Sequence, residues 1–542
     1  MLEPATGGRD QRLPRLTSGW VSFLTTAAVF IALRVPSLIE PPTFNDEGTY
    51  SDIGWALDHG AVLYRDVWGH YTPGMYWLGA AINLVNTSVL AFHVVLAAAA
   101  AVTVLGIWLF CRRFASTPVA WAATLAFVIL SSLPTLEGDV LYVEVIGAAL
   151  VVWAVLLVAR RCSVVTARAG VAAGVMVGGA MLFKPTFGAD AVAVAAIPAV
   201  IALASGRRPG RPEVRALLSV AAGAVGLLGV AAVALWLGGS LPGLVDVLTH
   251  QDEAYLQSAN GGGGVGVSTS GGTALVLLIM TATRIVLVLL VGSAITWWLV
   301  RRHHLAASVA AWWLTWDLAA VVVSALGLAH YAQQMEPALC VCAALLAARL
   351  VQRFPLRRLA LAAVTTVVAW AVCVASLIAP TAEASLVVPQ SLSTFVTSIV
   401  SPHVITHYLG GGWERVLGVT SAATYEAGFG PQPALVHETV SIIDSHSRPG
   451  DRVFVWGRVP WAYSLSRRLP AGRYTSLNSS FTLDPHAQPL LISELRAHPP
   501  AVLIELEPLP AAVSAMLRQL RYEQLTQANG ETFWVAPWRR LV

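Results

Sequence analysis

Apolar stretches long enough to cross a bilayer recur through the first two thirds of this chain, and they constrain its fold more than any other feature. A helix needs about 20 residues to span a hydrocarbon core of about 30 Å, and about eleven runs approach that length. They lie at residues 20–37, 89–110, 118–133, 141–159, 169–183, 187–204, 214–236, 273–300, 305–328, 335–350 and 359–379. Only 12% of the 542 residues are charged and 56% are hydrophobic, whereas soluble domains carry about 25% charge. The expected fold is a polytopic α-helical membrane protein of about eleven transmembrane helices.

Arginines set the expected orientation. Arg9, Arg12 and Arg15 precede the first run, which ends in VPSLIEPP without the small-residue site of a cleaved signal peptide. Arginines then return at every second connection: Arg112 and Arg113; Arg160, Arg161 and Arg168; Arg207, Arg208, Arg211 and Arg215; Arg301 and Arg302; Arg353, Arg357 and Arg358. This bias places the N-terminus in the cytoplasm and, with an odd number of spans, the C-terminal part outside. The net charge of +4 is mostly this arginine rim, so it reports topology and not a nucleic-acid partner. Arginine and alanine richness with a single lysine suggests the plasma membrane of a bacterium with a high-GC genome.

The composition changes past residue 380. RPGDRVFVWG (448–457), PPAVLIEL (499–506) and ETFWVAPW (531–538) have the pattern of short strands. ALVHETVSIIDSH (434–446), PLLISELRAH (489–498) and AAVSAMLRQL (511–520) have that of amphipathic helices. Residues 1–379 are therefore expected to form the transmembrane domain, with a first outer loop at 38–88 and another at 237–272. Residues 380–542 are expected to form an extracytoplasmic α/β domain on the last span. The loop 237–272 contains NGGGGVGVSTSGG, a composition suited either to a lid that orders over a ligand or to a segment without fixed structure. The five cysteines lie in or beside spans, so the exported part is not a disulfide scaffold.

Polar residues gather on the outer side. The first outer loop carries Asp46, Glu47, Asp52, Asp58 and Asp66; later outer loops add Glu137, Asp139, Lys184, His250, Glu253 and His330. Lys184 is the only lysine of the chain, a compact point charge where every other cation is a guanidinium fork.

NDEGTYSDIGWALDHGAVLYRDVWGHYTPGMYWL, residues 45–78, resembles the first outer loop of GT-C glycosyltransferases. The branch is that of aminoarabinose transferases, protein O-mannosyltransferases and related bacterial enzymes using polyprenyl-phosphate sugars. Those loops read roughly D-E-G-x-Y, a helix, G-x-x-Y-R-D-V and K-P-P-G-x-Y-W. LYVEVIGAAL (141–150), the glycine-rich stretch ending in LFKPT (174–186), AHYAQQMEPAL (329–339) and VFVWGRVPWAYSLSRRLPAGRY (453–474) are similar to that branch as well. The resemblance covers most of the chain.

It implies an inverting hexosyl- or pentosyltransferase that moves a sugar from a polyprenyl-phosphate donor to a cell-envelope acceptor on the outer face. Such a reaction needs one carboxylate to take the acceptor's proton and cations to hold the departing phosphate. By resemblance Asp46 is the base, Glu47 positions acceptor or sugar, and Asp139 is the second-loop acid. Tyr71-Thr72-Pro73 stands where the family has Lys-Pro-Pro, so the lysine expected on the lipid phosphate is missing. Arg65, His70 and Lys184 are its available substitutes, with Tyr71, His250, Tyr255 and His330 as further substrate contacts. Arg284 and Asp317 stand near the middle of consecutive spans. They are expected to form an ion pair from which Arg284 reaches the donor phosphate. No cofactor is expected, and no histidine or cysteine cluster has ligand spacing; a divalent ion on Asp46 and Asp139 is the one metal arrangement left open. Two other functions stay open: a non-catalytic receptor for lipid carrier or glycan, and a lipid or solute transporter, which would call for inverted repeats that the sequence does not display.

Overall fold

Long helices built of alanine, valine and leucine account for most of the computed structural model. It describes residues 13–160, 164–251, 271–323, 328–351, 360–372, 401–477, 487–526 and 531–539. The order is α1 (Leu13–Arg34), α2 (Asp46–Asp58), α3 (Pro73–Asn83), α4 (Val89–Phe114), α5 (Thr117–Leu130), α6 (Val143–Val158), α7 (Ala167–Phe183), α8 (Gly188–Ala204), α9 (Arg211–Leu237), α10 (Leu241–Asp246), α11 (Gly271–Arg301), α12 (Leu305–Val323), α13 (Ala332–Leu350) and α14 (Ala360–Val372). Among the described residues six helices are long and apolar enough to cross a membrane: Val21–Ile39, Val89–Phe114, Pro185–Ala204, Arg211–Leu237, Thr281–Arg301 and Leu305–Val323. Helices α5, α6, α7 and α14 are apolar but shorter. Helix α13 begins AQQMEP, polar groups that lower its hydropathy and are buried inside the bundle.

Small residues let the helices touch. A Cβ on Gly174 of α7 would stand 2.0 Å from the carbonyl oxygen of Val220 on α9, and one on Gly223 of α9 would stand 2.2 Å from that of Val171. The two backbones are thus in direct contact, as small-residue faces allow in lipid. Between α11 and α12, a Cβ on Gly292 would meet Thr315 Oγ1 at 2.2 Å. That register corrects the expected ion pair. Counting from the Gly292–Thr315 level, Arg284 lies eight residues along α11 and Asp317 two along α12, so their heights differ by about 9 Å. Asp317 is fully buried and turned instead toward Asp190 of α8, whose Oδ2 accepts from Gln334 Nε2 at 2.9 Å.

The C-terminal part contains helices α15 (Pro402–Val416), α16 (Ala422–Ala427), α17 (Gln432–His446), α18 (Ala462–Ser466), α19 (Ala487–Ala497) and α20 (Ala511–Gln519). Its five-stranded sheet has the order β2-β1-β3-β5-β4. The strands are β1 (Arg452–Trp456), β2 (Leu469–Pro470), β3 (Val502–Glu505), β4 (Glu523–Thr526) and β5 (Thr532–Val535). β1 runs parallel to β2 and β3, while β5 runs antiparallel to β3 and β4.

This sheet is not a tethered appendage. One hydrophobic core contains Tyr50, Ile53, Met75 and Tyr76 of the first outer loop together with Val453, Val455, Trp461, Tyr463 and Ile504 of the C-terminal part. Gly48 permits the closest approach, since a Cβ there would stand 2.5 Å from Pro460 and 2.6 Å from the Trp461 ring. Asp52, buried on α2, accepts from the backbone N–H and the hydroxyl of Ser464, both at 2.8 Å. Farther down, Trp413 Nε1 donates to Ala32 O at 2.9 Å, and the Tyr408 hydroxyl bonds Glu40, so α15 clamps the end of α1.

Burial pushes the Asp52 carboxyl up to about 7, against the lowering effect of its Ser464 hydrogen bonds. The folded state therefore holds this proton more tightly than the unfolded chain, so the group's contribution to stability is present below its unfolded value. It is lost as pH rises toward about 7. Asp52→Asn keeps an acceptor for Ser464 without the charge. The expected result is a melting temperature gain over wild type at pH 8 that vanishes near pH 4, read from thermal denaturation in detergent. A constant difference across that range would refute it.

Candidate active site

The acidic pair that opens α2 is divided by helix geometry. Asn45 caps the helix, its side chain accepting from Gly48 N at 3.4 Å, and the first turn then carries Asp46 and Glu47, where acids suit the positive helix end. Successive helical residues point about 100° apart, so one acid faces outward and the other inward. Asp46 stays partly exposed, at 24%. Its Oδ2 accepts from the Tyr71 hydroxyl at 2.7 Å, and Arg458 Nη2 stands 3.7 Å from Oδ1. Arg458 also donates to Phe44 O at 3.3 Å.

Glu47 is fully buried. Its Oε1 lies 2.8 Å from His93 Nε2 and its Oε2 accepts from Leu141 N at 2.9 Å. His93 Nδ1 is held in turn by the carbonyl of Ser37. Glu47, expected to position acceptor or sugar, is placed with one oxygen on His93 of α4 and the other on the segment between α5 and α6, so that it ties the start of α2 to both.

A second group of charges stands beside the first. Lys184, just past the end of α7, is 11% exposed; its Nζ donates to Glu144 Oε1 at 2.7 Å and lies 3.7 Å from the centre of the Tyr331 ring. His330 stacks on Tyr142 with ring centres 3.9 Å apart, and its Nδ1 lies 2.6 Å from Glu137 Oε2. Gln333 Nε2 holds the backbone carbonyls of Leu136 and Glu137 at 3.0 and 2.8 Å. Arg34, buried at the end of α1, donates to Gly138 O at 2.5 Å and to Ser131 O. The second outer loop is thereby pinned from two helices.

Electrostatics ties the two groups into one site. Burial lowers the affinity of His330 for its proton, but the carboxylates of Glu144, Glu137 and Asp46 outweigh it, and the pKa rises. The Tyr50 hydroxyl rises through burial, with Asp46 and Glu144 both adding to it. For Asp139, burial pushes the carboxyl up to about 7, with Glu137 and Glu47 contributing and His93 opposing. His70, between Trp68 and Tyr71, is pushed down by burial and by Arg458 while Asp46 opposes.

Of the residues singled out from sequence, Asp46, Glu47, His70, Tyr71, Asp139, Lys184 and His330 therefore share one neighbourhood. Arg65 does not join them. It is exposed, pairs with Asp66 at 2.7 Å, and lines a separate cleft of about 410 Å³ with Arg452, Arg473, Glu494 and His498. Arg284 stands within membrane helix α11. His250 falls in a π-helical turn, Val247–Gln251, while Tyr255 and the four glycines of the expected lid lie outside the described residues. Among the described residues no group of three or more His, Cys, Asp and Glu side chains is placed to hold a metal ion.

Sequence reasoning missed Arg458, Arg34 and His93. Arg458 lies inside VFVWGRVPWAY, a stretch noted only for its similarity to the same enzymes; nothing local in it signals a partner in the first outer loop.

No protein-family model and no curated protein matches the sequence. Solved structures do match it. ArnT from Cupriavidus metallidurans in the apo state superposes with a TM-score of 0.54 at 14% identity, covering 96% of this chain and 98% of that one. The same protein bound to undecaprenyl phosphate gives a TM-score of 0.52 at 16% identity, covering 95% and 98%. At such identities the likeness is one of fold, carried over nearly the full length of both chains: this chain has the fold of ArnT.

Proposed function

We propose that the chain is a membrane glycosyltransferase that takes a sugar from a polyprenyl-phosphate donor and passes it to a hydroxyl-bearing cell-envelope acceptor. The observation that carries this reading is the setting of Asp46: a partly exposed carboxylate, oriented by the Tyr71 hydroxyl, with an arginine beside it and a lysine in the same neighbourhood. A fold shared with a protein solved in complex with undecaprenyl phosphate supports a donor of that class.

In this reading the acceptor oxygen attacks the anomeric carbon as its proton passes to Asp46, and the bond from that carbon to the phosphate oxygen breaks. Polyprenyl phosphate departs with the bonding electrons and is held by Arg458 and Lys184. Lysine has three N–H donors, and Glu144 takes one of them. A single displacement from the face opposite the phosphate inverts the anomeric configuration. His330 and His70 line the sugar, and Asp139 lies behind them. The enzyme sits in a bacterial plasma membrane with its arginine-rich turns in the cytoplasm and this site outside, which reporter fusions to the connecting loops would test.

The deciding experiment incubates the purified protein with a panel of polyprenyl-phosphate sugars and measures release of free lipid phosphate. No release from any donor, with binding retained, would favour a non-catalytic receptor. Arg458→Gln is expected to weaken donor use by about 10-fold to 100-fold, the worth of a charge-assisted hydrogen bond, with Arg458→Lys recovering part of it. Unchanged kinetics in both variants would remove Arg458 from the site.

A further inference from the structure

Far from Asp46, at the arginine-rich end of the bundle, helices α11, α12 and α13 enclose a groove of about 570 Å³, within the range of about 300–1,000 Å³ common for ligand cavities. Its walls are aliphatic, Leu287, Val291 and Ile295 facing Leu314 and Leu345, and among the described residues no carboxylate lines it. It follows α11 from Leu287 to Trp298, a length of about 16 Å at 1.5 Å per residue, or roughly one leaflet of a 30 Å hydrocarbon core.

The charge is all at one end. Arg349 is exposed and lines the mouth. Arg302, on the adjoining turn, lies over the ring of Trp298, 5.8 Å from its centre, and Trp298 is itself a groove wall. Both guanidiniums bear on His304, where they join burial in lowering its pKa. Arg301 covers Trp297 in the same way, at 5.5 Å. Among the described residues none of these three arginines has a carboxylate partner.

We propose that this groove is a binding site for an anionic glycerophospholipid of the leaflet on the arginine-rich side: one acyl chain lies along α11 and the phosphate rests between Arg349 and Arg302. An apolar slot one leaflet deep with cations only at its mouth matches the two halves of such a molecule. The site is independent of the transfer chemistry and serves as a lipid anchor for the α11–α13 face.

The test is native mass spectrometry of the full chain purified from mixed phosphatidylcholine and phosphatidylglycerol. Wild type is expected to retain one phosphatidylglycerol in preference to phosphatidylcholine. Arg302→Gln with Arg349→Gln should reduce that preference by about 25-fold, taking roughly five-fold per arginine near a membrane surface. Ala311→Phe, which fills the groove, should abolish retention with the helical circular dichroism unchanged. Equal retention of both lipids by wild type overturns the proposal without recourse to any variant, and so does equal retention of phosphatidylglycerol by all three proteins. Displacement of phosphatidylglycerol by an equal concentration of undecaprenyl phosphate would assign the groove to the donor's own lipid and overturn it as well.

Discussion

Asp46→Asn is expected to lower sugar transfer by about 10²-fold to 10⁴-fold, the usual contribution of a positioned general base, while expression and donor binding stay near wild type. The asparagine side chain is close in shape and can still accept from Tyr71, whose hydroxyl lies 2.7 Å from the carboxylate. It cannot take a proton from an acceptor hydroxyl. Arg458 would lose an ionic neighbour at 3.7 Å, so donor affinity should hold or rise slightly as the cation is left to the phosphate. Single-turnover measurement with a saturating polyprenyl-phosphate sugar separates the two quantities. Wild-type turnover in the variant would show that another group is the base.

Glu47→Ala should fail for a different reason. The substitution removes the acceptor from two buried donors, His93 Nε2 at 2.8 Å and Leu141 N at 2.9 Å. Deleting one partner of such a buried pair costs about 3–5 kcal/mol, because the other partner is left without compensation. A marked fall in melting temperature is expected, with activity lost alongside it. Glu47→Gln keeps one acceptor oxygen and should lose less of both. Were Glu47→Ala to melt like wild type yet bind acceptor poorly, the carboxylate would be a substrate contact and not a strut.

Those two neighbours show where the sequence was legible and where it was not. The apolar runs were readable because lipid tolerates few charges, and each of them overlaps a helix, while among the described residues six helices are long and apolar enough to cross a membrane. The pair Asp46-Glu47 was visible as a motif. Its division of labour was not, since it depends on which way α2 rolls against His93 of α4. Strands β1, β3 and β5 could be read from their apolar content. β2 is two residues long, and β4, EQLT, has three exposed side chains; edge strands of this kind carry almost no pattern. The Arg284–Asp317 pair expected from their mid-span positions depends on the register of α11 against α12, which the Gly292–Thr315 contact sets and a sequence does not display. Arg458 was out of reach of local reasoning altogether, as only tertiary packing brings it to the first outer loop.

The shared core of the first outer loop and the C-terminal sheet also dictates an order of events during biosynthesis. Asp52 and Ser464 are bonded across 412 residues. At ribosomal rates of about 5–20 residues per second, α2 waits roughly 20–80 s for its partner to be made. During that interval the apolar face of Tyr50, Ile53 and Tyr76 has no sheet to cover it. Asp46 is thus made long before α18, whose arrival completes its surroundings. A chain stalled or truncated before residue 452 would insert its helices and still lack a finished site.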